Sequence, residues 1–141
     1  MEGNPVEVEI KVPNKTRYLS LIGRIGEDIA KELDRYQGDR ETLAYHLNLV
    51  LTEAMVNAIK HAGPAEPERM VRIVIHIRSD EITISVYDDG QGFDINSIPP
   101  PNFEELEDRG RGIFLIRSLM DTVCYRKKST ENILEMKKKL V

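Results

Sequence analysis

The alternation of apolar and polar residues near the start of the chain predicts a β-strand. From Val6 to Val12 every second residue is apolar, and the residues between them are charged. This period of two is typical of a strand with one buried face. Pro13 is expected to end the strand, and Asn14 is a candidate N-cap for a helix that follows.

Two stretches with apolar residues at every third or fourth position predict helices. The first starts near Leu19 and ends near Gly38, since glycine is common just after a helix. The second is capped by Asp39 and runs from about Arg40 to His61. Because its apolar residues surround much of its circumference, this helix is expected in the centre of the fold.

The rest of the chain predicts a β-hairpin, a long polar loop, a third helix and two final strands. The predicted elements are strands at 71–78 and 82–86, a helix at 113–120 that Gly110-Arg111-Gly112 opens, and strands at 122–128 and 133–141, with a turn at 129–132. The order β-α-α-β-β-loop-α-β-β predicts an α+β fold. It is a two-layer sandwich of one mixed, mostly antiparallel sheet with helices on one face.

Length and composition narrow the class of protein without naming an activity. The 141 residues suit one domain spanning 1–141, and 40% hydrophobic with 31% charged residues is a globular balance. The formal net charge of −4 argues against a non-specific nucleic-acid binder. Basic triplets at 126–128 and 137–139 are expected on the polar faces of edge strands. Because Cys124 is the one cysteine, no structural zinc site is expected. The sequence shows neither a signal peptide nor an apolar run of membrane length, so the protein is expected to be cytoplasmic.

The first candidate site lies on the second predicted helix. Glu53, Asn57, Lys60 and His61 follow one another at spacings of four, three and one, and His46 lies two turns earlier. At about 100° per residue Glu53, Asn57 and Lys60 share one stripe at the edge of the apolar face. A partly buried carboxylate there can act as a general base, and carboxylate and amide oxygens suit Mg²⁺. The competing interpretation is structural: Glu53 pairs with Lys60 at the edge of the core, and His61 interacts with the last helix carbonyls.

The second candidate site is Asp88-Asp89-Gly90-Gln91-Gly92, at the end of a predicted strand. Glycines let the backbone approach a ligand closely, and an acidic side chain can accept a hydrogen bond from an amino group of a planar ligand. The competing interpretation is an ordinary Asp-Gly turn.

The third candidate site is Arg109-Gly110-Arg111-Gly112, at a predicted helix N-terminus after a long loop. Free backbone N–H groups and the positive end of the helix favour phosphate, and the arginines add positive charge. A loop-to-helix junction with solvated arginines is the alternative. The motif is neither a P-loop nor a Rossmann fingerprint.

The order and spacing of the three motifs resemble the GHKL (Bergerat-fold) ATPase superfamily. LTEAMVNAIKHAG (51–63) is similar to its N-box, VYDDGQGFD (86–94) to its first glycine box and RGRGIFLIRSLMD (109–121) to its second. Within the superfamily the chain resembles the anti-sigma-factor serine kinases of bacterial partner-switching systems. The likeness covers nearly the whole chain.

This resemblance implies a role for each matching residue. Glu53 would be the general base that deprotonates an acceptor serine, and Asn57 would bind the Mg²⁺ on the ATP phosphates. Lys60 and His61 would contact phosphate or support the site, and Asp88 would recognise adenine. Gly90 and Gly92 would let the nucleotide approach closely. Phosphate would be bound by Arg109, Gly110, Arg111 and Gly112. The segment at about 93–110 would form the ATP lid.

One stretch departs from the family pattern. Relatives often carry a Gly-Thr pair just before the last strand, with the threonine near adenine. Here the stretch reads Glu131-Asn132-Ile133. Asn132 and Thr130 are therefore weak candidates for that polar contact.

The resemblance implies an ATP- and Mg²⁺-dependent serine/threonine-protein kinase that is also an anti-sigma factor. Its phospho-acceptor would be an anti-sigma-factor antagonist, and the implied partners include a sigma factor and a second copy in a homodimer, without direct nucleic-acid or membrane binding. The alternative is a non-catalytic ATP/ADP-sensing module that holds a regulatory partner. The catalytic domain of a sensor histidine kinase is a third interpretation, disfavoured because such domains usually carry Asn where Glu53 stands.

Overall fold

The part of the chain that the structure describes forms five strands and three α-helices in the predicted order. A computed structural model describes residues 5–33, 36–62, 69–88, 108–128 and 131–141, and within these ranges not the side chains of 61–62, 108–111 and 128. The elements are β1 (Val6–Pro13), a 3₁₀ turn (Thr16–Tyr18), α1 (Leu19–Glu32), α2 (Arg40–Ala62), β2 (Met70–Ile77), β3 (Glu81–Asp88), α3 (Asp108–Leu119), β4 (Thr122–Lys128) and β5 (Glu131–Lys139). Of the described helices, none has the length and apolar character needed to cross a bilayer.

The sheet has the strand order β1-β2-β3-β5-β4, and each of its pairings is antiparallel. Because side chains alternate between the two faces of a strand, one face presents apolar residues from all five strands to the helices. The cross-strand rows Val8-Ile75-Ile84-Met136-Val123 and Ile10-Ile73-Val86-Leu134-Tyr125 lie on this helix-facing side. The expected α+β sandwich with helices on one face is confirmed.

Helix α2 lies at the centre of the core, as its apolar circumference predicts. Its fully buried side chains include Leu43, Leu47, Leu51 and Met55. It packs against α1 on one side, α3 on another and the sheet beneath. The predicted cap is confirmed, since Asp39 Oδ1 accepts a hydrogen bond from the Glu41 backbone N–H at 3.1 Å.

The first helix ends earlier than its apolar spacing predicts. It stops at Glu32 instead of near Gly38, and Leu33 is extended and buried. The Arg40 guanidinium at the start of α2 reaches the Ala30 carbonyl oxygen at 3.3 Å. A side chain from the next helix therefore satisfies a terminal carbonyl of α1, which the local sequence does not reveal.

Three further expectations about local structure are corrected. Asn14 is not a helix N-cap: its backbone N–H donates to the Arg69 carbonyl at 2.8 Å and extends the β1–β2 pairing. The third helix starts at Asp108, so Gly110 and Gly112 lie inside it. The last strand starts at Glu131, so Asn132 is a strand residue and not part of a turn.

The two basic triplets do not both lie on edge strands. β4 is an edge, and there Arg126 lies 3.4 Å from Glu135 on the outer face. β5 is internal, and Lys138 points to the helix-facing side, where its Nζ donates to the Leu119 carbonyl at 3.1 Å. Lys138 thereby interacts favourably with the C-terminus of α3.

Candidate functional site

The residues of the first candidate site share the C-terminal half of α2. Glu53 and Asn57 are half-buried and Lys60 is exposed. The Asp39 cap at the other end and the buried leucines fix this helix in rotation, so Glu53 and Asn57 lie at the edge of the core. His61 belongs to the same helix, but its side chain lies outside the described part of the structure.

The carboxylate of Glu53 contacts the second turn of α3. A Cβ atom placed on Gly112 would lie only 2.8 Å from Glu53 Oε2. Gly112 therefore supplies the space that this carboxylate occupies. Two motifs separated along the chain are brought together here, at the interface of α2 and α3.

The structural alternative for Glu53 is an ion pair with Lys60, an exposed side chain on the same helix. The Glu53 carboxylate also faces the backbone of α3 at Gly112. Glu53 is therefore a half-buried carboxylate held against α3 near the N-terminus of that helix.

The second candidate site begins with a buried pair of side chains. Asp88 is the last residue of β3 and lies directly opposite Asn132 of β5 in the sheet register. Asn132 Nδ2 donates to Asp88 Oδ1 at 3.1 Å, with only 7% of Asp88 and 1% of Asn132 exposed. Both side chains project to the helix-facing side. Val86, two residues before Asp88, and Leu134, two residues after Asn132, project to the same side. Gly90 and Gly92 lie outside the described residues.

The third candidate site coincides with the start of α3. Arg109, Gly110 and Arg111 lie in its first turn, where backbone N–H groups have no partner within the helix. The side chains of Arg109 and Arg111 lie outside the described part, as do residues 93–107 of the expected lid. The described backbone nevertheless directs the N-terminal end of α3 toward the side of α2 that carries Glu53, because Gly112 and Glu53 are in contact.

His46 lies apart from the other candidates, at the end of the core where Lys138 meets α3. Burial, and secondarily the positive charge of Lys138, lower the pKa of His46. Lys138 pairs with Ile82 at the start of β3, whereas Asn132 pairs with Asp88 at its end. The two polar clusters therefore lie at opposite ends of the sheet.

Sequence reasoning underrated two features of this arrangement. Asn132, Leu134 and Met136 follow one another at intervals of two residues. This period was the available signal that Asn132 belongs to the strand and faces the helices. The contact between Gly112 and Glu53 has no counterpart in local spacing, because it depends on how α2 and α3 pack.

Comparisons with known proteins agree with this architecture. Residues 12–138 match the histidine kinase-like ATPase domain family. The chain is 30% identical to the serine-protein kinase RsbW of Staphylococcus epidermidis, over 97% of this chain and 89% of that protein. It is 26% identical to the serine-protein kinase RsbW of Bacillus subtilis, over 87% of this chain and 79% of that protein.

A solved structure supports the fold. The histidine kinase domain of the Erythrobacter litoralis EL346 blue-light activated histidine kinase has a TM-score of 0.55 and 20% identity, covering 92% of this chain and 62% of that one. The chain therefore belongs to the histidine kinase-like ATPase domain family of the GHKL superfamily, and its resemblance to the anti-sigma-factor serine kinases is confirmed.

Proposed function

We propose that this protein transfers the γ-phosphoryl group of ATP to a serine of an anti-sigma-factor antagonist, and that it holds a sigma factor when the antagonist is absent. Family membership supports ATP binding and kinase activity at the level of the serine-protein kinases. The observation that carries the finer proposal is the position of Glu53, a half-buried carboxylate against α3 at Gly112.

In the proposed step, Glu53 removes the proton from the acceptor serine hydroxyl. The serine oxygen then forms a bond to the γ-phosphorus, and the bond from that phosphorus to the bridging oxygen of ADP breaks, so that phosphoserine and ADP result. Transfers of this kind depend mostly on positioning and charge stabilisation, with a base adding about 10²–10⁴-fold. The backbone at Glu53 is firmly held because α2 packs its leucines into the core.

The remaining site residues would hold the nucleotide. Asp88 would accept a hydrogen bond from the adenine amino group, and the N-terminal turn of α3 would bind phosphate through backbone N–H groups. Bound Mg²⁺ would neutralise phosphate charge. Its one expected protein ligand is the amide oxygen of Asn57, a half-buried residue, and a single such ligand fits a cation that keeps several water and phosphate ligands. Gly90, Gly92, Lys60 and His61 remain predicted contacts.

The antagonist would leave the complex after phosphorylation. A phosphoserine adds about −1.5 to −2 charges, and the kinase already carries a formal net charge of −4. Repulsion and desolvation at the interface would therefore weaken binding. The homodimer and the cytoplasmic location stay predictions, which sedimentation of the purified protein and fractionation of the host would test.

The experiment starts with proteins that co-purify with this chain from its native host. The purified complex is incubated with γ-labelled ATP and Mg²⁺, and phosphoserine is located by mass spectrometry. Transfer to a serine of a bound partner is expected, and absence of label on every bound partner contradicts the kinase proposal.

The same complex distinguishes the non-catalytic alternative. The variant Glu53→Ala should still bind ATP but should neither label nor release the antagonist. A sensing module would release its partner equally well with the wild-type and variant proteins, because release would then depend on nucleotide binding alone. Glu32→Gln, on the exposed end of α1, serves as the control for a carboxylate lost elsewhere.

A further inference from the structure

Lys138 interrupts the apolar stripe that β5 presents to the helices. Met136, two residues earlier on the same face, is fully buried, and Leu140 just beyond the strand is buried as well. Ile82, which pairs with Lys138 across the ladder, is also fully buried, whereas Lys138 is a half-buried cation among them. An ammonium group is costly to place in such surroundings unless hydrogen bonds satisfy it. A lysine at this position therefore requires a specific partner.

The partner is the C-terminal end of α3. Lys138 Nζ donates at 3.1 Å to the carbonyl of Leu119, the last residue of the helix, where carbonyls have no partner within the helix. The turn that follows is tied to the same strand through Asp121. Its backbone N–H donates to the Lys137 carbonyl at 2.8 Å, and its carboxylate accepts from the Lys139 N–H at 2.6 Å. Three consecutive residues of β5 therefore hold one end of α3.

The other half of α3 carries the contact with Glu53. At a rise of about 1.5 Å per residue, the stretch from Gly112 to Leu119 spans roughly 10 Å. The backbone hydrogen bonds of a helix keep its length nearly constant, so a shift at one end moves the other end along the axis as well. The contact tolerates little shift, because the residues on either side of Gly112 have side chains that would meet the carboxylate in its place.

We propose that Lys138 is a positioning residue for phosphoryl transfer: by holding the C-terminal end of α3, it keeps Gly112 opposite the Glu53 carboxylate. The inference rests on the proposed kinase function and deepens it. It concerns a lysine that belongs to none of the three sequence motifs and lies at the end of the sheet away from Asp88.

The neighbouring lysine provides a matched control. Lys137 pairs with Thr83 in the ladder and lies on the outer face, because successive side chains of a strand alternate between its two faces. Lys137→Met therefore removes the same charge from the same strand and leaves the end of α3 untouched. Lys138→Met keeps most of the apolar stem and removes the ammonium group, whereas Lys138→Arg keeps a cationic donor.

The first experiment follows the amide resonances of protein made with isotopically labelled glycine, without nucleotide or partner. In Lys138→Met the Gly112 resonance should shift, whereas those of Gly23 and Gly26 in α1 should stay, because α3 is the helix that loses an anchor. Lys138→Arg should reverse the shift, and Lys137→Met should not produce it. An unmoved Gly112 resonance in Lys138→Met would show that the hydrogen bond at Leu119 is a local cap, which overturns the inference.

The second experiment measures single-turnover transfer to the bound acceptor serine at saturating ATP. Lys138→Met should lower the rate by about tenfold, and Lys138→Arg should restore it to within about threefold of the wild type. Lys137→Met should leave the rate unchanged. In the Glu53→Gln protein, Lys138→Met should lower the residual rate by less than about twofold, because no base remains to be displaced.

The dependence on Glu53 decides the outcome of the second experiment. A merely structural Lys138 would lower transfer by the same factor with Glu53 and with Gln at that position, which overturns the inference. Where Lys138→Met fails to fold, Lys138→Gln answers the same question, since its side chain is shorter and uncharged. Wild-type transfer that Lys138→Met leaves intact overturns the inference alone, whereas a wild-type protein that transfers no phosphate overturns the proposed function as well.

Discussion

Helix α2 contacts α1 and α3 through glycines, but the two interfaces use them differently. On the α1 side, a Cβ atom on Gly26 would lie 2.9 Å from the backbone carbonyl oxygen of Leu47. On the α3 side, a Cβ atom on Gly112 would lie 2.8 Å from the end of the Glu53 side chain. The distances are nearly equal, whereas the atoms met are a rigid backbone and a flexible carboxylate.

This difference separates stability from chemistry. A glycine that faces backbone sets the distance between two helices, so the whole core depends on it. A glycine that faces a carboxylate sets where one functional group lies, and the helices can keep their spacing without it. The α1 interface should therefore respond to substitution through unfolding, and the α3 interface through phosphoryl transfer.

The largest effect is expected for Glu53→Gln, which keeps the shape of the side chain and removes the base. Transfer to the bound acceptor should fall by about 10²–10⁴-fold. The dissociation constant of ATP should change by less than about threefold, because the proposed role of Glu53 concerns the serine proton. Single-turnover kinetics and calorimetry measure the two quantities, and an equal loss in both would assign Glu53 to nucleotide binding.

A substantial loss of stability is expected for Gly26→Ala. The added methyl group meets the Leu47 carbonyl, so the helices must separate or shift, at a cost of roughly 1–3 kcal/mol in the free energy of unfolding. The better helix propensity of alanine offsets part of this cost. Urea denaturation measures the change. Ser20→Ala, exposed on the same helix, is the control, and an equally stable Gly26→Ala would contradict the close packing of α1 on α2.

Gly112→Ala should give the opposite signature. The backbone N–H stays, the Glu53 side chain can swing aside, and alanine favours the helix by roughly 0.5–1 kcal/mol, so stability should hold or rise. Transfer should decrease by about tenfold, on the order of 1.4 kcal/mol, because the carboxylate is displaced.

A double-mutant cycle isolates this contact. In the Glu53→Ala protein, the methyl group added by Gly112→Ala meets no carboxylate. The effects of Gly112→Ala on the free energy of unfolding and on ATP affinity should then be those of helix propensity alone. Additive effects of the two substitutions would show that Gly112 does not act through Glu53.

The smallest effect is expected at His46, where α2 approaches Lys138. Its lowered pKa means that the unfolded chain binds a proton at His46 more readily than the folded protein does. The contribution of neutral His46 to the free energy of unfolding is complete at pH values above the unfolded pKa of about 6.5. It decreases as the pH falls through that value toward the lower pKa of the folded protein.

Thermal unfolding between neutral and mildly acidic pH measures this dependence. His46→Gln should flatten the acid side of the stability profile. His76→Gln, on the outer face where His76 lies 3.2 Å from Glu7, should leave the contribution of His46 in place. A profile that keeps its slope in His46→Gln would contradict the assignment.

Much of the fold followed from local periodicity. The alternation at Val71, Ile73 and Ile75 and the apolar circumference of α2 placed the hairpin and the central helix, because one buried face imposes a period on any element. Element ends were less predictable. The end of α1 depends on Arg40, and the start of β5 depends on pairing with β3, so both are set by residues distant in sequence.

The candidate site shows the same division. The sequence singled out Glu53, Asp88 and the glycines of α3 through motif order, and these assignments stay predictions until the variants are measured. Spacing could not show that Glu53 occupies the space left by Gly112, or that Asn132 holds Asp88. Such contacts arise when elements distant in sequence pack together, and no local pattern encodes their distance.

The family, the order of the elements and the buried faces could be predicted before folding is considered, because hydrophobic period and motif order are local properties of the chain. The internal position of β5, the turn of Lys138 toward α3, and the different locations of the Asn48–Glu27 and Asn132–Asp88 pairs became visible in the folded protein alone. These features depend on strand order and helix packing, which are settled by the free energy of the whole core.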